Sequence, residues 1–207
     1  MSPLLDIAVR LGRLSLEDPR KGMRAVLDLG VPVPARTFGL LLMAVGSAVL
    51  THIGFLLLPV SDDPLLAYLM ASPFRTAVVQ WLALAASVVL IARIGRARGG
   101  VGSFADALLV VVWLQLLMLA VQVVQIAALV VIPPVAAMIN IAGLGLFFWL
   151  LTNFIAELHG FTTLRAVFGA VVVTIVCVAF LMVIVLAFVL GPEALIQALG
   201  PEVVTHV

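Results

Sequence analysis

The chain has 207 residues, 65% of them hydrophobic and 10% charged, with a mean hydropathy of +1.34 and a net charge of +1. A soluble domain carries about 25% charged residues, so a water-soluble fold is excluded. A single cysteine, Cys177, rules out a disulfide within the chain and a cluster of thiolates.

Residues 1–36 read as a hydrophilic N-terminal segment. Leu4, Ile7, Ala8, Leu11 and Leu14 recur at helical spacing, and Asp6–Arg10 and Arg13–Glu17 are i,i+4 pairs of opposite sign. Asp18-Pro19 reads as an N-cap and first residue of a second helix, stopped at Gly30. Both helices are expected to lie in the membrane interface, with Arg10, Arg13, Arg20, Lys21 and Arg24 against anionic headgroups. The alternative is that they pack on the bundle. No cleavable signal peptide is expected, since the first long apolar run starts only at Phe38.

A helix needs about 20 apolar residues to cross the hydrocarbon core. Five segments qualify within a membrane domain of residues 37–191: about 38–58, 73–94, 103–132, 135–156 and 166–190. Ser72 offers an N-cap and Pro73 a first helical residue for the second. Pro133-Pro134 divides the third from the fourth, because neither can continue the preceding helix. The third, at 30 residues, would reach roughly 45 Å, so its first turn is placed in the interface, where Ser103-x-x-Asp106 resembles a capping box. Short outer helices are expected at Asp63–Met70 and Pro192–Leu199, the latter in an outer tail of residues 192–207. The fold class is an all-α, polytopic transmembrane helix bundle with five spans plus short interfacial helices.

The basic residues give the expected orientation. Ten of the eleven lie in residues 1–36, 93–98 and at Arg165, and only Arg75 lies elsewhere. The positive-inside rule then puts the N-terminus in the cytoplasm and the C-terminus outside. Ten arginines against one lysine suggest a GC-rich bacterial genome, hence a bacterial inner membrane.

Catalytic templates are missing. There is no His-Glu-x-x-His and no Gly-x-Ser-x-Gly, and Ser47 and His52 would point some 140° apart on one helix. No enzyme activity, cofactor, metal or nucleic-acid partner is expected. Polar residues do occur inside spans: Gln115, Gln122 and Gln125 in the third, Asn140 in the fourth, Gln80 in the second and His52 in the first. They read either as interhelical hydrogen bonds or as a solute pathway. At the cytoplasmic helix ends, Asp106, Glu157, His159, Arg93 and Asn153 are expected to form one polar network. Ala44-x-x-x-Ala48, Ala83-x-x-x-Ser87 and Ala166-x-x-x-Ala170 allow close helix approach, within one bundle or in a homo-oligomer.

Three stretches carry a family resemblance: Gly102-Ser-Phe-Ala-Asp-Ala-Leu108 with Trp113-Leu-Gln115, Asn153-Phe-Ile-Ala-Glu-Leu-His-Gly-Phe161, and Leu16–Arg24. Over roughly residues 15–190 the chain resembles the Yip (Ypt-interacting protein) domain family, most closely its bacterial members. The resemblance implies five spans, a non-enzymatic role, and Asp106 and Glu157 as motif residues. Eukaryotic relatives bind Rab-type GTPases and shape membranes. Their Asp-Leu-Tyr-Gly-Pro signature is absent here, so GTPase binding is not carried over. The expected function is organising or remodelling the membrane, or scaffolding membrane-protein partners. The alternative is a small-solute transporter or channel using the polar face of the third span.

Overall fold

Proline, glycine and short polar side chains punctuate the chain into helices. The computed structural model describes residues 3–57 and 71–190, with side-chain burial for 5–57 and 71–184. Among these residues there are seven α-helices and no strand: α1 (Pro3–Glu17), α2 (Pro19–Asp28), α3 (Val33–Leu56), α4 (Pro73–Ala97), α5 (Phe104–Val131), α6 (Pro133–His159) and α7 (Leu164–Leu190). Asp18 caps α2 by accepting the Lys21 N–H at 3.1 Å, with Pro19 in the first turn. Ser72 caps α4 in the same way, through the Arg75 N–H. Gly160, at φ 73°, ends α6 in the left-handed conformation that favours glycine. The segments expected at Asp63–Met70 and Pro192–Leu199, and the outer tail, lie outside the described residues.

Five helices, α3 to α7, are long and apolar enough to cross a membrane. Some bounds differ from those read in the sequence. Helix α3 starts at Val33 rather than Phe38, which takes Arg36 into its first turn; that guanidinium finds Asp106 and two carbonyls as partners, so its charge does not end the helix. Helix α6 starts at Pro133, because a proline is tolerated in a first turn, and runs on through His159.

Helix α5 is the centre of the bundle. It packs on α3, α4 and α6, and α2 touches its N-terminal part. Half of its most apolar stretch is buried (50%), against 11–28% in the other four spans. The sequence is apolar all round here, which suits a helix packed among neighbours over its first half and facing apolar surroundings over its second. Helix α7 packs chiefly on α6, at the rim.

The two short helices pack on protein, as the alternative reading has it. They form a hairpin that docks on one end of the bundle, with α2 packed against α6. Met23 and Val26 of α2 are fully buried. The hairpin closes where Gly22 meets Ser15: a Cβ on Gly22 would lie 2.5 Å from the Ser15 Cα, so only glycine admits this crossing. Ser15 is itself buried, and its Oγ accepts the Trp113 Nε1–H at 3.0 Å. Apolar burial and this bond hold the hairpin to the rest of the protein.

Candidate functional site

The polar chemistry of the chain gathers where α5 begins, α6 ends and the hairpin docks. Burial of a carboxylate demands a counter-charge, which Glu157 finds in N-terminal arginines; the partly exposed Asp106 pairs with another. Glu157, in the last turn of α6, has a side chain only 5% exposed. It accepts from Arg20 Nε at 3.1 Å and is also paired with Arg24. Arg20 Nη2 donates to the Phe161 carbonyl at 3.3 Å, so one guanidinium joins α2 to the chain leaving α6.

Asp106 sits in the first turn of α5. Its Oδ1 accepts from Arg36 Nη1 at 2.8 Å, and the Arg36 side chain is 9% exposed. The same guanidinium donates to the Ala105 carbonyl at 2.6 Å and, through Nε, to the Val31 carbonyl at 2.7 Å. The Ser103 hydroxyl caps α5. It accepts the Asp106 N–H at 3.1 Å and donates to Asp106 Oδ2 at 2.6 Å.

His159 fills a cradle of glycines from α4 and the α4–α5 turn. The Gly102 N–H donates to Nδ1 at 3.2 Å, and Nε2 faces the Ile91 carbonyl at 3.1 Å. Together these bonds require the neutral tautomer with its proton on Nε2. A Cβ on Gly95 would collide with the ring, one on Gly100 would come 2.5 Å from Nδ1, and one on Gly102 would come 2.6 Å from Leu158 Cγ. Phe161 stacks on the imidazole, with centroids 5.5 Å apart.

The expected single network of Asp106, Glu157, His159, Arg93 and Asn153 is therefore replaced by separate sets. Each acid has its own arginine, and His159 bonds to backbone. Asn153 is buried and donates to the Trp149 carbonyl of its own helix at 2.8 Å, while Arg93 is exposed. Arg20 and Arg24, read as headgroup contacts, hold Glu157. Of the other three, Arg10 is exposed, Arg13 pairs with Glu17 at 2.8 Å, and Lys21 pairs with Asp18 at 2.9 Å. Arg36 was missed. The sequence showed only the charges: five arginines in residues 1–36 and two acids at the same basic end, with nothing to say which arginine meets which acid.

The intramembrane glutamines find hydroxyl partners on α3. Ser47 Oγ accepts from Gln80 Nε2 at 2.6 Å and from Gln115 Nε2 at 3.1 Å, and Thr51 Oγ1 accepts from Gln122 Nε2 at 3.1 Å. Ser47 is thus a hub joining α3, α4 and α5, a role that its sequence position did not reveal. Gln125 is half-buried, and Asn140 is exposed on α6. His52 Nδ1 is buried without a hydrogen-bond partner among the described residues. No three His, Cys, Asp or Glu side chains there converge as a metal-ligand set.

A cavity of about 390 Å³ opens among α4 to α7. Gln115 reaches its wall, but Gln122 and Asn140 do not, and the walls are mostly apolar.

The family model described as the Yip1 domain matches residues 14–186. The match takes in the hairpin from Leu14 onward, both arginine–carboxylate sets and the glycine cradle. No curated protein and no solved structure matches the chain.

Proposed function

This chain belongs to the Yip1 domain family, and on that premise we propose that it is a non-enzymatic membrane protein that organises or remodels the bilayer, or scaffolds partners, from its arginine-rich end. Its integral membrane nature follows from the five long apolar helices. One observation supports the finer reading best. The docked hairpin leaves an apolar stripe outward on α1, with Leu5, Val9 and Leu16 each about half exposed, beside the outward-facing cations Arg10 and Arg13. Such a helix, held at fixed height by Glu157 and Trp113, suits the boundary between headgroups and acyl chains. Each basic residue near an anionic surface adds about 1 kcal/mol of attraction.

The ten-to-one distribution of basic residues supports a cytoplasmic N-terminus. The arginine-biased composition supports a bacterial inner membrane. The bonds from Gln115 and Gln122 to Ser47 and Thr51 support an interhelical role for the glutamines rather than a solute path.

The test uses the full chain in vesicles of phosphatidylcholine with or without phosphatidylglycerol, imaged by electron cryomicroscopy. The expected result is a change of vesicle shape or clustering that requires the anionic lipid. The combined variant Val9→Ser, Arg10→Gln, Arg13→Gln should lose it while keeping its fold. Unchanged vesicles, or an effect indifferent to these substitutions, would remove the reading. Selective solute flux abolished by Gln122→Leu would establish the transporter in its place.

A further inference from the structure

The cavity between α4 and α7 has an outline that the proposed function does not use. At one end stand Arg98, the C-cap residue of α4, and Thr162 and Thr163, just before α7. All three are exposed, and the Arg98 guanidinium takes part in no ion pair among the described residues. Away from that end the walls are Leu84, Leu90, Phe147, Val171 and Ile175. Three polar side chains also line the deeper part, but each is already committed to protein. Ser87 Oγ donates to the Ala83 carbonyl at 2.8 Å, Thr174 Oγ1 to the Ala170 carbonyl at 2.7 Å, and Gln115 donates to Ser47. A ligand in the deep part therefore meets a mostly apolar surface, and a ligand at the mouth meets a cation and two hydroxyls.

The dimensions fit one leaflet. Leu84 and Arg98 are 14 residues apart on α4, about 21 Å along a helix axis. Half of a hydrocarbon core is about 15 Å. With Arg98 at headgroup depth, Leu84 stands near the bilayer midplane. The cavity is also open sideways. Helix α7 packs chiefly on α6 and stands off α4, so the space between α4 and α7 faces the surrounding lipid.

We propose that this crevice binds one anionic phospholipid of the surrounding bilayer, with an acyl chain between α4 and α7 and its phosphate at Arg98, Thr162 and Thr163. The apolar depth selects a chain, the lateral opening admits it from the membrane, and the lone cation at the mouth selects the headgroup charge. The site is separate from Arg10 and Arg13 on α1. It rests on the membrane-embedded fold, not on the proposed remodelling role.

The experiment places the full chain in nanodiscs with trace phosphatidylglycerol or phosphatidylcholine carrying a photoreactive diazirine on the acyl chain. Labelled positions are mapped by peptide mass spectrometry. Phosphatidylglycerol should label the crevice walls, residues 84–94 and 166–175, well above outward-facing positions such as Phe180. Phosphatidylcholine should label the walls no more than those positions. Arg98→Ala should lower wall labelling by phosphatidylglycerol about fivefold, the effect of one basic residue on an anionic headgroup. Arg98 is exposed at a helix end, so that variant keeps the fold. Ala170→Phe, which fills the crevice from α7, should abolish wall labelling and leave labelling at Phe180 unchanged. Equal wall labelling by both lipids, labelling indifferent to Arg98→Ala, or crosslinks joining the walls to a second copy of the chain would each overturn the proposal. Vesicle shape plays no part in this readout, so this site and the remodelling role stand or fall separately.

Discussion

The two halves of α5 share one composition and live in different surroundings. From Ala107 to Leu114 nearly every residue is buried, and from Leu116 to Val131 none is. Helix α6 mirrors this: Leu150–Ala156, Leu158 and His159 are buried, while in Pro133–Trp149 only Ala136 is. Both dense halves lie at the arginine-rich end. There the hairpin covers the bundle, glycines let α4 and the α4–α5 turn close on His159, and two acids are neutralised by arginines. At the other end, apolar side chains face lipid, which is as apolar as they are, so little drives the helices together. Packing in this protein follows the polar groups that need partners, not hydrophobicity.

The sharpest break of this comparison is a matched pair of phenylalanines. Phe154 is completely buried in the dense half and Phe180 is 67% exposed on α7. Phe154→Ala should cost about 3–5 kcal/mol through lost contacts and the cavity left behind. Phe180→Ala should stay within about 0.5 kcal/mol. Thermal unfolding in one detergent would measure both, and equal losses would show that the two halves are equally packed.

Next comes the Arg36 set. Arg36→Met should destabilise by about 2–3 kcal/mol, because Asp106 and two backbone carbonyls lose a charged donor. The Asp106 side chain is 39% exposed, so water recovers part of the loss. Asp106→Asn in the same background should cost less than in the wild type, and a double-mutant cycle reads this coupling.

The glycine cradle gives a third measure. Gly102→Ala should cost about 1–3 kcal/mol, since its methyl would press on Leu158 and His159. Gly145→Ala, where the added Cβ meets nothing within 4 Å beyond the backbone of its own helix, should be neutral or slightly stabilising. A loss at Gly145 as large as that at Gly102 would contradict the cradle.

Ser47→Ala removes the acceptor for Gln80 and Gln115 and should cost about 0.6 kcal/mol per bond. A loss above about 3 kcal/mol would mean that the hub carries more than two ordinary interhelical bonds.

The smallest effect concerns pH. The hydrogen bonds from the Lys21 side chain and then from its N–H hold the Asp18 carboxyl below the ordinary carboxylate value. A carboxyl lowered on folding contributes its stability above the unfolded value and loses it as pH falls through the folded one. Protection from hydrogen exchange in the first turn of α2, relative to the unfolded chain at the same pH, should therefore fall only below about pH 4. A loss of protection near neutrality would point to a different group.

Apolar run length, proline pairs and capping residues were legible as five long helices and two short ones. Backbone hydrogen bonds cannot go unmet in lipid, so an apolar stretch of about 20 residues has few alternatives to a helix. The turn at Pro133-Pro134, the cap at Ser103 and the stop at Gly30 are local, and local chemistry decides them. The family resemblance was legible in the same short motifs, because Asp106, Glu157 and His159 fall within them. Pairing was not. Arg20 and Glu157 are 137 residues apart, and Arg36 and Asp106 are 70 apart. An arginine beside a membrane satisfies its charge equally well with a headgroup or with a carboxylate, and nothing near it in the chain distinguishes the two. That choice is made when α2 and α6 meet. Ser47 became a hub, three glycines became the walls of one histidine, and a gap beside α7 became a crevice for the same reason: each depends on which helix stands next to which, at distances that sequence spacing does not encode.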